Sequence, residues 1–197
     1  MSMDDVLERL QSDAEELKKW VGVYIGVLAV LLAVCNVGGA NAAKDANRAN
    51  IEASNIWAFF QAKNLRRTMY AVAADDLEAT LATQPGLADG PRKLVEEKIK
   101  KHRSEAARMK SEPQAGDGAD QLFAKAKALE AERDINMRKD PYFDWSQALL
   151  QIAIVLASVH LIIGNMLLLA MSGGLAGLGI LLMVNGFTLA VALPLLG

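Results

Sequence analysis

Two stretches of the chain carry no Asp, Glu, Lys or Arg, Trp20 to Ala43 and Trp145 to Gly197, whereas the residues between them mix charged and apolar positions at helical spacing. A helix in water keeps charge on its outward side, so charge-free stretches of this length predict membrane-spanning helices. The first span is expected over 20–39, a length that at about 1.5 Å per residue matches a hydrocarbon core of roughly 30 Å. Ala40-Asn41-Ala42 has the form of a signal-peptide cleavage site, but the preceding segment is acidic and the apolar run is longer than a typical signal core, so an uncleaved helix is expected. The second stretch is long enough for two spans, Ser146 to about Met171 and Leu175 to about Leu196. Ser172-Gly173-Gly174 is the expected turn and Pro194 the expected stop. Asp144 and Gln147 have capping-box spacing before the second span, with Tyr142 and Trp145 placed as an interfacial aromatic belt.

The fold class predicted is therefore all-α: three transmembrane helices, with a long-helix, coiled-coil-like soluble region between the first and second. Its parts are an acidic N-terminal segment 1–19, transmembrane helix 1 over 20–39, a long helix 40–84, a helical hairpin 85–145 and a transmembrane hairpin 146–197. The 40–84 stretch has no proline and is rich in alanine, a strong helix former. Steps of four and three give a heptad seam through Ala42, Ala46, Ala49, Ala53, Ile56, Phe60, Lys63, Arg67, Tyr70, Ala74, Leu77 and Leu81. Ala49, Ala53, Ile56, Phe60 and Tyr70 are the residues expected at a seam between copies of the chain. A polar stripe runs beside it through Asn47, Asn50, Ser54, Trp57, Gln61, Asn64 and Thr68. It reads as a solvated or register-setting flank or, on a second reading, as the lining of an oligomer axis. Gln84-Pro85-Gly86 with Gly90-Pro91, and the Gly- and Pro-containing stretch from Ser111 to Gly118, are loop signals. The helices between and after them, the second ending at about Lys139 before Asp140-Pro141, are expected to form an antiparallel hairpin packed on the long helix or on a neighbouring subunit.

Charge orients the chain. Of 21 Lys and Arg, Arg9, Lys18 and Lys19 precede the first span and the other 18 lie between the first and second, which puts the middle region on the cytoplasmic side. Net charge is −2 and the signs are interspersed, so the one-sided basic face that nucleic acid requires is missing. Cys35 is the only cysteine and the two histidines are far apart in sequence, so neither a disulfide framework nor a zinc cluster of the usual kind is expected. Asp75-Asp76 and Glu96-Glu97 lack a companion nucleophile, and no Walker loop, dinucleotide fingerprint or Ser-His-Asp arrangement is present. No catalytic residue, cofactor or metal is expected.

Within the spans, Gly22 and Gly26, Gly173 and Gly177, and Gly186 with Ala190 are small-xxx-small pairs, which let helix backbones approach closely in lipid. Gln151, Ser158 and Asn165, seven residues apart, form a polar stripe in the second span that is expected to bond across helices or, alternatively, to line a wet path. His160 is expected to be neutral and hydrogen-bonded to a neighbouring helix, and His102 to be a packing residue.

Ala53 through Lys63, ASNIWAFFQAK, followed by Met69-Tyr70, resembles a bacterial family of membrane proteins called domain of unknown function 4337. Glu130 through Asp134 and Phe143-Asp144 through Ser158 are similar to that family's junction into its C-terminal hairpin. The resemblance implies the same three-span layout in a bacterial inner membrane and brings no activity with it. The expected function is a homo-oligomeric, membrane-anchored helical scaffold whose partners are membrane lipid, its own copies and an unidentified protein. The alternative is a homo-oligomeric channel for ions or small solutes, lined by the amide-rich faces.

Overall fold

The computed structural model describes residues 3–193, with side chains described from residue 15 onward; Pro194 lies outside the described residues. Among the described residues there are four α-helices: α1 (Met3–Thr83), α2 (Asp89–Lys110), α3 (Ala119–Ile163) and α4 (Met166–Thr188). Three of them, α1, α3 and α4, contain windows long and apolar enough to cross a membrane.

Several boundaries differ from expectation, each for a physical reason. No proline occurs before Pro85, and α1 is one helix of 81 residues that takes in the acidic segment, the first apolar run and the heptad region. Gly90-Pro91 falls inside the first turn of α2 rather than in a loop, at positions where a backbone N–H has no helical acceptor to lose. α3 does not stop at Asp140-Pro141 but continues through Pro141. An interior proline removes one helical hydrogen bond and costs about 3 kcal/mol. Tyr142, Phe143 and Ser146, all buried on the following turn, are the packing that offsets it.

The apolar hairpin turns at Gly164-Asn165, not at Ser172-Gly173-Gly174. Gly164 has φ +74°, the left-handed conformation that closes a helix, and its N–H donates to the His160 carbonyl at 2.7 Å. Asn165 is the N-cap of α4, its side-chain oxygen accepting from the Leu167 N–H at 2.9 Å. Ser172, Gly173 and Gly174 lie within α4. That helix ends at Thr188, short of the expected Leu196, because Leu189 turns left-handed and the Asn185 side chain exchanges two hydrogen bonds with the Val191 backbone.

The chain divides into two compact units, one made of residues up to Ala46 and from Asp134 on, the other of Asn47–Arg133. The first is a three-helix bundle in which α3 runs antiparallel to α1 and α4. Its core is Leu28, Cys35, Ala42, Phe143, Leu150, Ala153, Ala176 and Met183. In the second, α1 pairs in order with α2 and then α3. Arg103 bonds Asp75 and Glu78, Tyr70 lies on His102, Lys63 bonds Asp117, Trp57 meets Phe123 and Glu130, and Arg48 bonds Glu132. α2 and α3 thus follow one another back along α1 instead of pairing as an antiparallel hairpin. Their own link is at the connection, where Gln121 bonds the Ser111 hydroxyl and the Glu112 N–H.

Candidate functional site

Where the charge-free runs of α1 and α3 meet their charged neighbours, the first unit has a cleft of about 160 Å³ lined by Gly38, Asn41, Ala42, Asp45, Asn136, Lys139, Phe143, Gly186 and Phe187. The apolar floor is a pair of rings, Phe143 and Phe187, meeting edge to face with centroids 4.9 Å apart. These rings lie against α1 because Gly38 has no side chain: a Cβ there would come within 2.6 Å of Phe143 and 2.8 Å of Phe187. The polar wall comes from α1 and α3. Asn136 is buried, and Lys139, one turn on, donates to its side-chain oxygen at 3.1 Å. Burial pushes the neighbouring Asp140 carboxyl above its ordinary value, and Asp144 one turn further adds to the shift. An apolar groove of about 400 Å³ adjoins the cleft and shares Gly38, Asn41 and Phe187 with it, continuing along Val30, Ala33, Val34 and Val37.

Deeper in this bundle the polar side chains are engaged in holding helix to helix. The Tyr24 and Ser172 hydroxyls are 3.0 Å apart, and Ser172 donates to the Ala153 carbonyl at 2.7 Å, tying α1, α4 and α3 at one level. Ser146 donates to the Gly179 carbonyl at 2.7 Å, and the Cys35 thiol lies 3.5 Å from the Phe143 carbonyl. Tyr142 holds the segment after α4, donating to the Val191 carbonyl at 3.1 Å and accepting from the Leu193 N–H at 3.0 Å.

The expected polar stripe of the second span is dispersed. Gln151 is exposed, Ser158 donates to its own helix at the Ile154 carbonyl, and Asn165 is the cap of α4 rather than part of a helix face. His160 is buried, with Nδ1 donating to the Asn165 carbonyl at 2.8 Å, so it closes the turn instead of reaching a neighbouring helix. The small residues fall into two groups. Gly186 is buried against Phe143, whereas Gly22, Gly26, Gly173 and Gly177 are exposed and have open space where a Cβ would stand.

In the second unit the heptad seam is covered within the one chain. Ala49 and Ala53 are buried, Ile56, Phe60 and Tyr70 half-buried, and Trp57, Phe60 and Phe123 form a ring cluster with centroids 5.4–5.9 Å apart. Pairing of copies at this face would require α2 and α3 to move away. Of the flanking stripe, Asn47, Asn50 and Gln61 are exposed and Asn64 half-buried. Lys63, the basic interruption of the seam, is only 6% exposed and donates to Asp117 at 2.8 Å. That contact holds the Asp117 carboxyl below its ordinary range. Glu130 is likewise held low, by Lys127 first and the Trp57 N–H second. His102 packs beside Tyr70, ring centroids 5.7 Å apart. Among the described residues no group of three His, Cys, Asp or Glu is arranged to hold a metal ion.

The cleft residues Asn41, Asp45, Asn136 and Lys139 were not singled out by spacing. The one signal available is that they flank the borders of the two charge-free runs, where polar residues on facing helices come to the same level. A family model described as a domain of unknown function (DUF4337) matches residues 17–189, so the chain belongs to that family. No curated protein and no solved structure matches it.

Proposed function

We propose that this member of the DUF4337 family is a non-catalytic, membrane-anchored helical scaffold, with three crossings in a bacterial inner membrane and the Asn47–Arg133 unit presented to protein partners on the cytoplasmic side. The observation that carries this reading is the buried stripe of α1. Val21, Leu28, Cys35, Ala42 and Ala49 are buried at seven-residue steps and the series continues through half-buried Ile56 to buried Lys63, with Ala46, Ala53 and Ala74 buried on the companion register. Such a helix is a packing rail: its inward side chains are taken up by neighbouring helices, and its partners present polar atoms that fix pairing. The interspersed charge of the Asn47–Arg133 surface and the excess of Lys and Arg between the first two crossings support the cytoplasmic placement.

Self-association belongs to the same reading. With the heptad face covered, the surfaces suited to a second copy are Gly22 with Gly26 and Gly173 with Gly177, whose open small-residue faces let helices approach closely in lipid. In a Cys35→Ala background, Gly26→Cys is expected to cross-link into a dimer in native membranes and Ala49→Cys is not. Absence of any cross-linked species from cysteines at these four glycines would remove the homo-oligomer from the proposal. Liposomes containing the protein are expected to show no ion flux; reproducible conductance altered by Gln151→Leu would favour the channel instead.

A further inference from the structure

We propose that the uncovered face of α1 between Arg48 and Asp76 is a parallel coiled-coil seam that takes the same face of a second copy of this chain. The inference rests on the membrane-anchored, self-associating reading above and gives it a face, an orientation and a register.

Opposite the stripe that α2 and α3 cover, α1 carries a second apolar series in the same four-and-three count. Ile51, Ala58, Leu65 and Val72 stand seven apart, with Asn55, Ala62 and Met69 between them. All seven are exposed, Ile51 by 61%, Leu65 by 63% and Met69 by 62%. With Ile51 placed at heptad position d, the α1 residues buried in this unit, Ala49, Ala53, Lys63 and Ala74, fall at b and f, the outer positions of a two-stranded coil. The seam therefore lies on the side of α1 away from its intrachain partners and is open with both of them in place. A helix that meets only solvent has no reason to turn large apolar side chains outward beyond its charge-free run, in register with a repeat of about 3.5 residues per turn.

The seam's polar and charged positions name a copy as the occupant. Asn55 falls at position a among apolar neighbours, where a covered amide needs another amide. A copy aligned in parallel presents its own Asn55 at that level, and a side chain with both donor and acceptor complements itself. The flanks agree in charge. In a parallel pair each g residue meets the e residue five positions on in the other helix, which sets Asn47 against Glu52 and Gln61 against Arg66. Each formal charge then faces an amide, and no like charges meet. Anchoring supplies the alignment: copies held by the same crossings run in one direction at one depth, so identical residues come level. The count also continues along the sequence. Beyond Asn41, Lys44 and Arg48 it resumes at Val37, Val34, Val30, Val27 and Val23, all exposed, next to Gly22 and Gly26. Arg48, bonded to Glu132 at 2.9 Å, bounds the seam at one end and Asp76 at the other.

The test is oxidative cross-linking of the full-length protein in native membranes, in the Cys35→Ala background. A disulfide needs Cβ atoms about 3.5–4.5 Å apart, so only positions that face themselves across the pair form one readily. Ala58→Cys and Ala62→Cys, at d and a, are expected to give a disulfide-linked dimer, and Lys100→Cys, exposed on α2, to give none. Leu65→Glu sets a carboxylate against its copy and should lower the Ala62→Cys dimer at least about fivefold. Leu65 is exposed in the single chain, so the fold tolerates the change, and unchanged helix content by circular dichroism checks that. A dimer yield within twofold of the parent in Leu65→Glu, equal cross-linking from Lys100→Cys, or a mixed disulfide with a different protein in place of the dimer would overturn the proposal. If Gly26→Cys links copies while Ala58→Cys and Ala62→Cys do not, the seam falls and self-association stands. No dimer from any of the three would remove both.

Discussion

At the scale of single residues, the most telling contact is Lys63 on Asp117. A nearly buried ammonium on α1 is neutralised by a carboxylate from the connection between α2 and α3, and Gly118 beside it leaves no room for a side chain, a Cβ there falling 2.5 Å from the Glu112 nitrogen. Losing the carboxylate strands the lysine, so Asp117→Asn is expected to lower the melting temperature in detergent, and Lys63→Met to be the milder change. The pH dependence has a definite sign. Asp117 titrates lower in the folded chain than its ordinary value of 3.8 because Lys63 bonds its charged form. The stability it contributes is complete above that value and is lost as pH falls through the lower folded one. Melts between pH 7 and pH 3 should show an acid-side decline that is smaller in Asp117→Asn. In the other unit, Ser172→Ala removes hydrogen bonds to Tyr24 and to the Ala153 carbonyl and is expected to cost about 1 kcal/mol, the usual size of such ties between membrane helices. A chemical unfolding series in mixed micelles measures it. Neither contact was legible in advance: Lys63 stands out in sequence only as a break in an apolar rhythm, and Tyr24 and Ser172 are 148 residues apart.

At the scale of elements, glycines that look alike in sequence divide by what faces them. Gly38→Ala forces a methyl group into Phe143 and Phe187 and should destabilise by about 1–3 kcal/mol, the usual cost of overpacking. Gly26→Ala meets open space and gains about 1 kcal/mol of helix propensity, so it should be neutral or stabilising to the single chain. Parallel denaturation of the two variants checks the contrast. The helical stretches, the three apolar windows and the heptad stripe were readable because burial imposes a period on the residues. Boundaries were less readable. Gly164-Asn165 holds a helix-closing glycine and a helix-opening asparagine side by side, yet Ser172-Gly173-Gly174 has the stronger turn composition. Only the neighbours, Tyr24 and Ala153 against Ser172, account for helix continuing there. Pro141 is a similar case, since the packing that carries α3 through it comes from distant parts of the chain.

At the scale of the whole molecule, the same heptad arithmetic was compatible with a partner copy or with the chain's own α2 and α3, and periodicity alone does not say which. The cleft was less legible still, because its residues come from three separated segments. On the three-crossing reading, cysteines placed in a Cys35→Ala background at Ala115 and Met166 should react with a membrane-impermeant maleimide from opposite sides. Reaction of both from the same side in sealed vesicles would reverse that assignment. The two-residue connection at Gly164-Asn165 has a bearing on how the protein is made. From Trp145 to the end of α4 no formal charge is present, and on the three-crossing reading the tip to be carried across the bilayer holds one capped amide and one glycine. On that reading the two segments enter together with no Asp, Glu, Lys or Arg to be drawn through oil.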